Sequence, residues 1–212
     1  MDRVVRGQRQ AMGKSRVEAF SDGVVAIIIT IMVLELKVPH EPTLEGLRPL
    51  IPILLSYALS FIYVGIYWNN HHHLLHAMHT VTGAILWANL HLLFWLSLIP
   101  FVTAWMDESH YASAPTALYG AVLLMAGIAY WILQRLIIAS QGSDSVLKKA
   151  VGRDWKGKCS PLFYLAAILM SARWVWASQA MYILGALLWL IPDRRIERAL
   201  RAEAASVPRR AP

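Results

Sequence analysis

Charged residues are scarce in this sequence. Asp, Glu, Lys and Arg together make up 16% of its 212 residues, whereas 57% of the residues are hydrophobic and nine are Trp. A soluble domain of this length would carry more charge and would have no uncharged run long enough to cross a bilayer. The composition therefore argues against a soluble protein and predicts one that is embedded in a membrane.

Cysteine and the common catalytic motifs are also missing. Cys159 is the only cysteine, so no disulfide can form within one chain, and a cysteine-based metal site is not expected. The sequence has no H-E-x-x-H motif, and its start has no short apolar core followed by an A-x-A-like cleavage site. We therefore expect no metal site, no cofactor and no cleaved signal peptide, and we expect the first span to act as its own insertion signal.

Long apolar runs recur along the whole chain. A hydrocarbon core of roughly 30 Å takes about 20 helical residues to cross. Runs that satisfy this length lie at 19–38, 50–68, 81–105 and 114–139. A last apolar region at 161–191 is interrupted by "SARWVWAS" and is compatible with one irregular span or with two short ones.

The distribution of basic residues decides whether this last region is one span or two. Lys and Arg accumulate in cytoplasmic loops, and here they are concentrated at the N-terminus, in "QGSDSVLKKAVGRDWKGK" and in the tail. Because an even number of crossings must separate two cytoplasmic segments, the last region is predicted to be a hairpin of 161–172 and 177–191. We thus predict an all-α membrane protein with six transmembrane helices and both termini in the cytoplasm.

This topology also divides the chain and accounts for its charge. We expect a cytoplasmic N-terminal segment at 1–14, a six-helix transmembrane domain at 15–198 and a flexible cytoplasmic tail at 199–212. The net charge of +7 follows from the sorting of loops across the membrane, so no nucleic-acid partner is expected. Since the chain has no internal repeat, any symmetry must come from the association of identical chains.

The first span has an acidic group near its start. Ser15 and Glu18 match the capping box, which predicts that the helix begins near Ser15. The stretch Phe-Ser-Asp-Gly then lies in the second helical turn, although an ionised Asp22 is costly near lipid.

One side of this helix is a narrow apolar stripe. At about 100° per residue, the stripe combines Gly23 with Ile27, Thr30, Ile31 and Leu34. Such a stripe is typical of packed helices. The alternative is that several copies surround an axis and form a hydrophobic constriction for ions.

Three segments resemble a known family. The stretches are "RVEAFSDGVVAIIITIMVLEL" at 16–36, "YWNNHHHLLH" at 67–76 and "LLWLIPDRRIER" at 187–198. They are similar to bacterial relatives of the endolysosomal potassium channel called transmembrane protein 175. The most specific part is Arg-x-x-x-Phe-Ser-Asp, which is formed here by Arg16, Phe20, Ser21 and Asp22.

The resemblance implies a potassium-permeable channel of the prokaryotic plasma membrane. In this family, bacterial chains with six spans assemble as homotetramers, and the first helix of each subunit lines the pore. No Thr-Val-Gly-Tyr-Gly filter is present here; Tyr63-Val64-Gly65 is the nearest match, and it lies in mid-span. By position, the resemblance places the constriction at Ile27, a threonine layer at Thr30, and further apolar layers at Ile31 and Leu34. Modest selectivity for potassium over sodium is then expected.

Histidines are concentrated after the second span. One interpretation is a shared metal site, because His72 and His76 are four residues apart on a helix. The favoured one is a buried polar network, since polar groups at membrane depth need partners inside the protein. The polar positions singled out as a structural motif with the first helix are Arg16, Phe20, Ser21, Asp22, Gly23, Trp68, Asn70, His72 and His73. Which histidine would partner Asp22 is left open.

Two other functions remain open. Asp22 would suit a proton-coupled transporter, and the histidines with a metal would suit a membrane enzyme. The expected partners are therefore the lipid bilayer, identical chains and permeant potassium ions, and we predict that the protein is not an enzyme.

Overall fold

A computed structural model describes residues 2–39, 41–142 and 155–190 of the chain. Within these ranges the regular structure is entirely helical. The elements are α1 (Asp2–Leu34), a 3-10 helix (Glu45–Leu50), α2 (Ile51–His76), α3 (Gly83–Ser97), α4 (Ile99–Glu108), α5 (Ser113–Ser140), α6 (Trp155–Ser171) and α7 (Val175–Leu190).

The described residues form six helical rods, because two pairs of elements are continuous. The 3-10 helix leads into α2, and α3 leads into α4. Four rods in the described residues are long and apolar enough to cross a membrane, namely Gly13–Leu34, Glu45–His76, Gly83–Glu108 and Ser113–Ser140. By length and composition these four rods indicate a membrane-embedded bundle, and the described residues also contain two shorter apolar helices.

The last apolar region is two helices. Helix α6 ends at Ser171 and α7 begins at Val175, with a turn around Arg173 between them. The prediction that this region forms two short helices rather than one long one is confirmed. The tail at 199–212 and the end of the predicted domain at 198 lie outside the described residues.

The third rod is interrupted near Pro100. Helix α3 ends at Ser97 and α4 starts at Ile99, with Pro100 in its first turn. Proline lacks an N–H and clashes with the preceding turn, so it is tolerated where a helix begins. The regular helix therefore restarts at Ile99.

The start of the first helix was predicted wrongly. Helix α1 is continuous from Asp2, so Ser15 and Glu18 lie in mid-helix rather than at its start. An N-cap needs a non-helical backbone, and nothing before Ser15 enforces one: the segment has no proline, and each of its two glycines costs only about 1 kcal/mol in a helix.

Helix α5 is at the centre of the bundle. It packs against α3, α4, α6 and α7, whereas α1 packs on α2, α3 and α4. The core around α5 includes the fully buried Tyr119, Leu123 and Leu133. Helix α1 therefore lies at one side of the chain, with one face on the bundle and the other uncovered.

Candidate functional site: the two faces of the first helix

Helix α1 has a buried face and an exposed face within one chain. Val25, Ile28 and Met32 are each 3% exposed and contact the bundle. The opposite face is apolar but uncovered: Ile27 is 59% exposed, Ile31 is 42% exposed and Leu34 is 79% exposed. An amphipathic pattern cannot produce this division, because both faces are apolar; the packing of α2 to α4 decides which one is buried.

The predicted pore residues all lie on the exposed face. All four side chains are exposed in the single chain, namely Ile27, Thr30, Ile31 and Leu34. The Thr30 hydroxyl donates to the carbonyl of Ile27 at 2.9 Å. Its proton is thus used within the helix, while the lone pairs of its oxygen remain available on the outer face.

A buried polar network fixes the inner face of α1. The Ser21 hydroxyl is fully buried, donates to the Val17 carbonyl at 2.8 Å and accepts from Asn89 Nδ2 at 2.9 Å. The other end of the Asn89 amide, Oδ1, accepts from His71 Nε2 at 2.7 Å. One hydrogen-bonded chain therefore ties α1 to α3 and α2, and each buried polar group in it has a partner.

Asp22 lies on the other side of the same turn. Its Oδ1 accepts from Trp68 Nε1 at 3.0 Å, and both side chains are exposed in the single chain. The Trp68 ring lies 6.2 Å from the ring of His72, which stacks in turn on His76 at 6.2 Å. Ser21 and Asp22 therefore face different partners, one inside the bundle and one at its surface.

The other predicted motif residues take more local roles. Asn70 Nδ2 donates to the Ile66 carbonyl of its own helix at 2.9 Å. Arg16, Phe20 and Gly23 are exposed, and His73 is half-buried with its ring 5.6 Å from that of His72. In the described part of the chain, no three His, Cys, Asp or Glu side chains are grouped so that they would hold a metal ion.

Two residues of this network, His71 and Asn89, are not part of the motif predicted from the sequence. Helical periodicity provides the signal: His71 lies seven residues after Val64, and Asn89 lies four after Ile85, and both of those apolar residues are buried. His72 and His73 point away from that stripe. Among three adjacent histidines, the one that faces the bundle can be identified only from the positions of the apolar residues on the same helix.

The comparisons with known proteins agree with this architecture. Residues 16–100 match the model of the family described as the endosomal/lysosomal potassium channel TMEM175. A potassium channel of Chryseobacterium sp. (strain P1-3) is 54% identical over 190 residues, which are 90% of this chain and 99% of that protein. The crystal structure of a lysosomal potassium-selective channel TMEM175 homolog from Chamaesiphon minutus superposes with a TM-score of 0.69 at 27% identity, covering 86% of this chain and 98% of that one.

A vertebrate relative matches over a shorter stretch. The endosomal/lysosomal proton channel TMEM175 of Gallus gallus is 39% identical over 77 residues, which are 31% of this chain and 15% of that protein. These relatives are channels, and channels are not enzymes, so the membrane-enzyme alternative is set aside. On the near-complete match to the Chryseobacterium protein and the shared helical architecture, this chain belongs to the TMEM175 family.

Proposed function

We propose that this chain forms a potassium-permeable channel as a homotetramer in the prokaryotic cell membrane. In this arrangement six helices cross the bilayer with both termini in the cytoplasm, and four copies of α1 surround a central pore. The observation that carries the proposal is the uncovered face of α1, which combines exposed apolar residues with exposed acids.

The acids argue that this face does not meet lipid. Asp22 lies five residues before Ile27, and Glu35 directly follows Leu34; both acids are exposed in the single chain. On insertion scales a carboxylate costs roughly 2.5–3.5 kcal/mol at the centre of a membrane helix, and contact with hydrocarbon is unfavourable for it throughout the span. An ordinary lipid-facing helix would avoid it, whereas a helix that faces water or a second subunit accommodates it.

The apolar layers would then gate by dewetting. A ring formed by Ile27, with further rings of Ile31 and Leu34, excludes hydrated ions when it is narrow and passes them when it widens. The Thr30 oxygen lies between two of these layers and would replace part of the hydration shell. Without a backbone-carbonyl filter, selectivity for potassium over sodium should be modest.

Flux from reconstituted protein tests the proposal. Purified protein in liposomes should conduct potassium down its gradient, sodium more slowly, and give single-channel currents in planar bilayers. Flux no greater than that of empty liposomes would contradict the proposal. Saturable exchange that requires a proton gradient and gives no channel currents would favour the coupled transporter.

Proton conduction is a second candidate because the Gallus gallus relative is named as a proton channel. A pH-sensitive dye inside the same liposomes measures it directly. Acidification under a proton gradient, with potassium clamped on both sides, would identify proton flux as an additional activity.

A further inference from the structure

Two cavities lie beside different halves of α2. The first, which we call the acidic cavity, has a volume of about 470 Å³ and is bordered by the end of α1, the first part of α2 and α4. Five of its lining residues carry a carboxylate, an amine or an imidazole, namely Glu35, Lys37, Asp107, Glu108 and His110. These groups provide the polar partners that water needs in a cavity, so water can enter it.

The second cavity, which we call the aromatic cavity, lies beside the other half of α2. It has a volume of about 350 Å³ and is bordered by α2, α5, α6 and α7. Tyr63, Tyr67 and Asn70 contribute polar groups from α2, and Gln134 contributes an amide from α5. The two cavities therefore approach each other along α2 from its two ends.

A short length of α2 separates the two cavities. Tyr57 is the last α2 residue at the acidic cavity, and Tyr63 is the first one at the aromatic cavity. At 1.5 Å per residue these positions are about 9 Å apart along the helix axis, whereas the hydrocarbon core is roughly 30 Å thick. Ser60 lies midway between them and is fully buried.

A layer of hydroxyl groups occupies this length. Ser60 Oγ shares a hydrogen bond with Thr103 Oγ1 at 2.8 Å and another with Tyr119 Oη at 3.0 Å. Thr103 lines the acidic cavity, and Tyr63 lines the aromatic cavity. Tyr119 and Tyr63 both contact Tyr182, whose ring lies 5.3 Å from that of Tyr119 and whose carbonyl accepts from Tyr63 at 2.6 Å. The hydroxyl layer thus leads from one cavity towards the other.

A buried acid lies next to this layer. Asp107 is 9% exposed, lines the acidic cavity and accepts from Ser56 Oγ at 2.5 Å. It follows Thr103 by four residues on α4 and therefore lies on the same side of that helix. A carboxylate that binds and releases a proton is thus placed where the hydroxyl layer begins.

The layer suits protons and excludes potassium. Ser60 and Tyr119 are fully buried, so a hydrated ion has no room between them. A hydroxyl is both a donor and an acceptor: it can accept a proton on its oxygen and pass its own proton to the next oxygen. Chains of polar side chains serve as proton relays in membrane pumps and transporters.

We propose that each chain contains its own proton path, separate from the pore that α1 would line. A proton binds Asp107 from the acidic cavity, passes along the hydroxyls of Thr103, Ser60 and Tyr119, and reaches Tyr63 at the aromatic cavity. One water molecule completes the last step, and rotation of the hydroxyls then restores the layer. The path gives a route to proton conduction, the second candidate function, on which it rests; it depends neither on the tetramer nor on the potassium pore.

Ser60→Ala removes the central hydroxyl of the layer. Proton flux into liposomes, measured with an internal pH-sensitive dye and potassium clamped on both sides, should fall roughly tenfold because the chain of hydrogen bonds is interrupted. Potassium flux should be unchanged, since Ser60 is not part of the exposed face of α1.

Ser178→Ala is the matched control. Ser178 is also fully buried, but it donates to the Ala167 carbonyl and lines neither cavity, so both fluxes should stay at the level of the unmodified protein. Equal proton flux in the Ser60 and Ser178 variants, or no proton flux in the unmodified protein, would overturn the proton path. Potassium flux in separate liposomes tests the potassium channel independently of this result.

A second measurement does not depend on the Ser60 variant. Ile27 is 59% exposed on the open face of α1, so Ile27→Trp adds bulk to the proposed constriction without entering the core of the chain. Potassium flux should then be lost while proton flux persists. Loss of both fluxes together would place the protons in the central pore and overturn the proposal, even if the Ser60→Ala protein does not fold.

Discussion

At the residue scale, two adjacent polar residues of α1, Ser21 and Asp22, bond to different partners. Ser21 is bonded inside the bundle to Asn89, whereas Asp22 is bonded at the surface to Trp68. The serine links α1 to α3, and through Asn89 to His71 of α2. The acid meets a tryptophan on the side that remains open to a second subunit. Adjacent residues on a helix point about 100° apart, which is why they reach different partners.

Asn89→Leu should strongly destabilise the fold. It leaves the His71 ring without its bond to Asn89, and the Ser21 hydroxyl keeps only its bond to the Val17 carbonyl. A buried polar group without a partner costs about 1–3 kcal/mol. The midpoint of thermal unfolding of purified protein should fall by several degrees. Ser97→Ala is the control, since the exposed Ser97 bonds only to the Phe94 carbonyl of its own helix. Equal melting of the two variants would refute the structural role of the network.

Asp22→Ala should impair assembly before it alters selectivity. The carboxylate bonds to Trp68 Nε1 and orients the exposed side of α1. Trp68→Phe removes the same bond from the other partner and should have a similar effect on the yield of oligomer in size-exclusion chromatography. A well-assembled Asp22→Ala protein with changed ion selectivity would instead place the acid in the pore.

Ile27→Asn should raise leak and reduce the discrimination between potassium and sodium. A polar side chain in a hydrophobic ring keeps the constriction hydrated when it is narrow. Liposome flux measures both quantities, and Ile31→Asn should act in the same direction. Leu169→Asn is the control, because Leu169 is 68% exposed on α6, far in sequence from the proposed pore helix. Unchanged flux in both isoleucine variants would reject the pore assignment.

At the scale of elements, the helices pack closely at particular glycines. A Cβ on Gly120 of α5 would collide with Tyr182 Oη and lie 2.8 Å from Ile168 Cγ1. Tyr182 is fully buried, and its hydroxyl donates to the Thr116 carbonyl at 3.1 Å, so it cannot move aside without loss of that bond. Gly120 therefore sets how closely α5 approaches α6 and α7.

Gly120→Ala should destabilise the bundle by about 1–3 kcal/mol, the usual cost of overpacking a core. Gly65→Ala, in the interior of α2 with nothing within 4 Å of the added Cβ, should be neutral or stabilising by up to about 1 kcal/mol. Unfolding in denaturing detergent, followed by circular dichroism, compares the two substitutions. A Gly120→Ala protein as stable as the Gly65→Ala protein would show that the helices are not in close contact at this position.

At the scale of the whole molecule, the described part of the single chain leaves the proposed pore face of α1 uncovered. The described part of the chain does not cover the four exposed pore candidates on α1, and a closed ring of identical subunits would bring copies of them together. Under the proposed assembly, native mass spectrometry in mild detergent should give a tetramer. A protein that remains monomeric yet conducts potassium would require a pore within the bundle.

Much of this architecture follows from the sequence by itself. Uncharged runs of membrane-spanning length predict the helices, and the distribution of basic residues predicts the α6–α7 hairpin. These features depend on local composition and on the cost of placing charge or unpaired backbone groups in lipid. The start of α1 was not predictable in this way, because a capping-box pattern is equally compatible with mid-helix positions.

Only the tertiary structure decided which face of each helix is buried. Both faces of α1 are apolar, so hydrophobicity does not distinguish Ile28, on the bundle, from Ile27, on the open side. Among the adjacent histidines, the packing of α2 against α3 selects His71 as the partner of Asn89. Membrane helices are apolar all round, and their orientation is therefore set by close packing and buried hydrogen bonds between helices rather than by the pattern of hydrophobic residues.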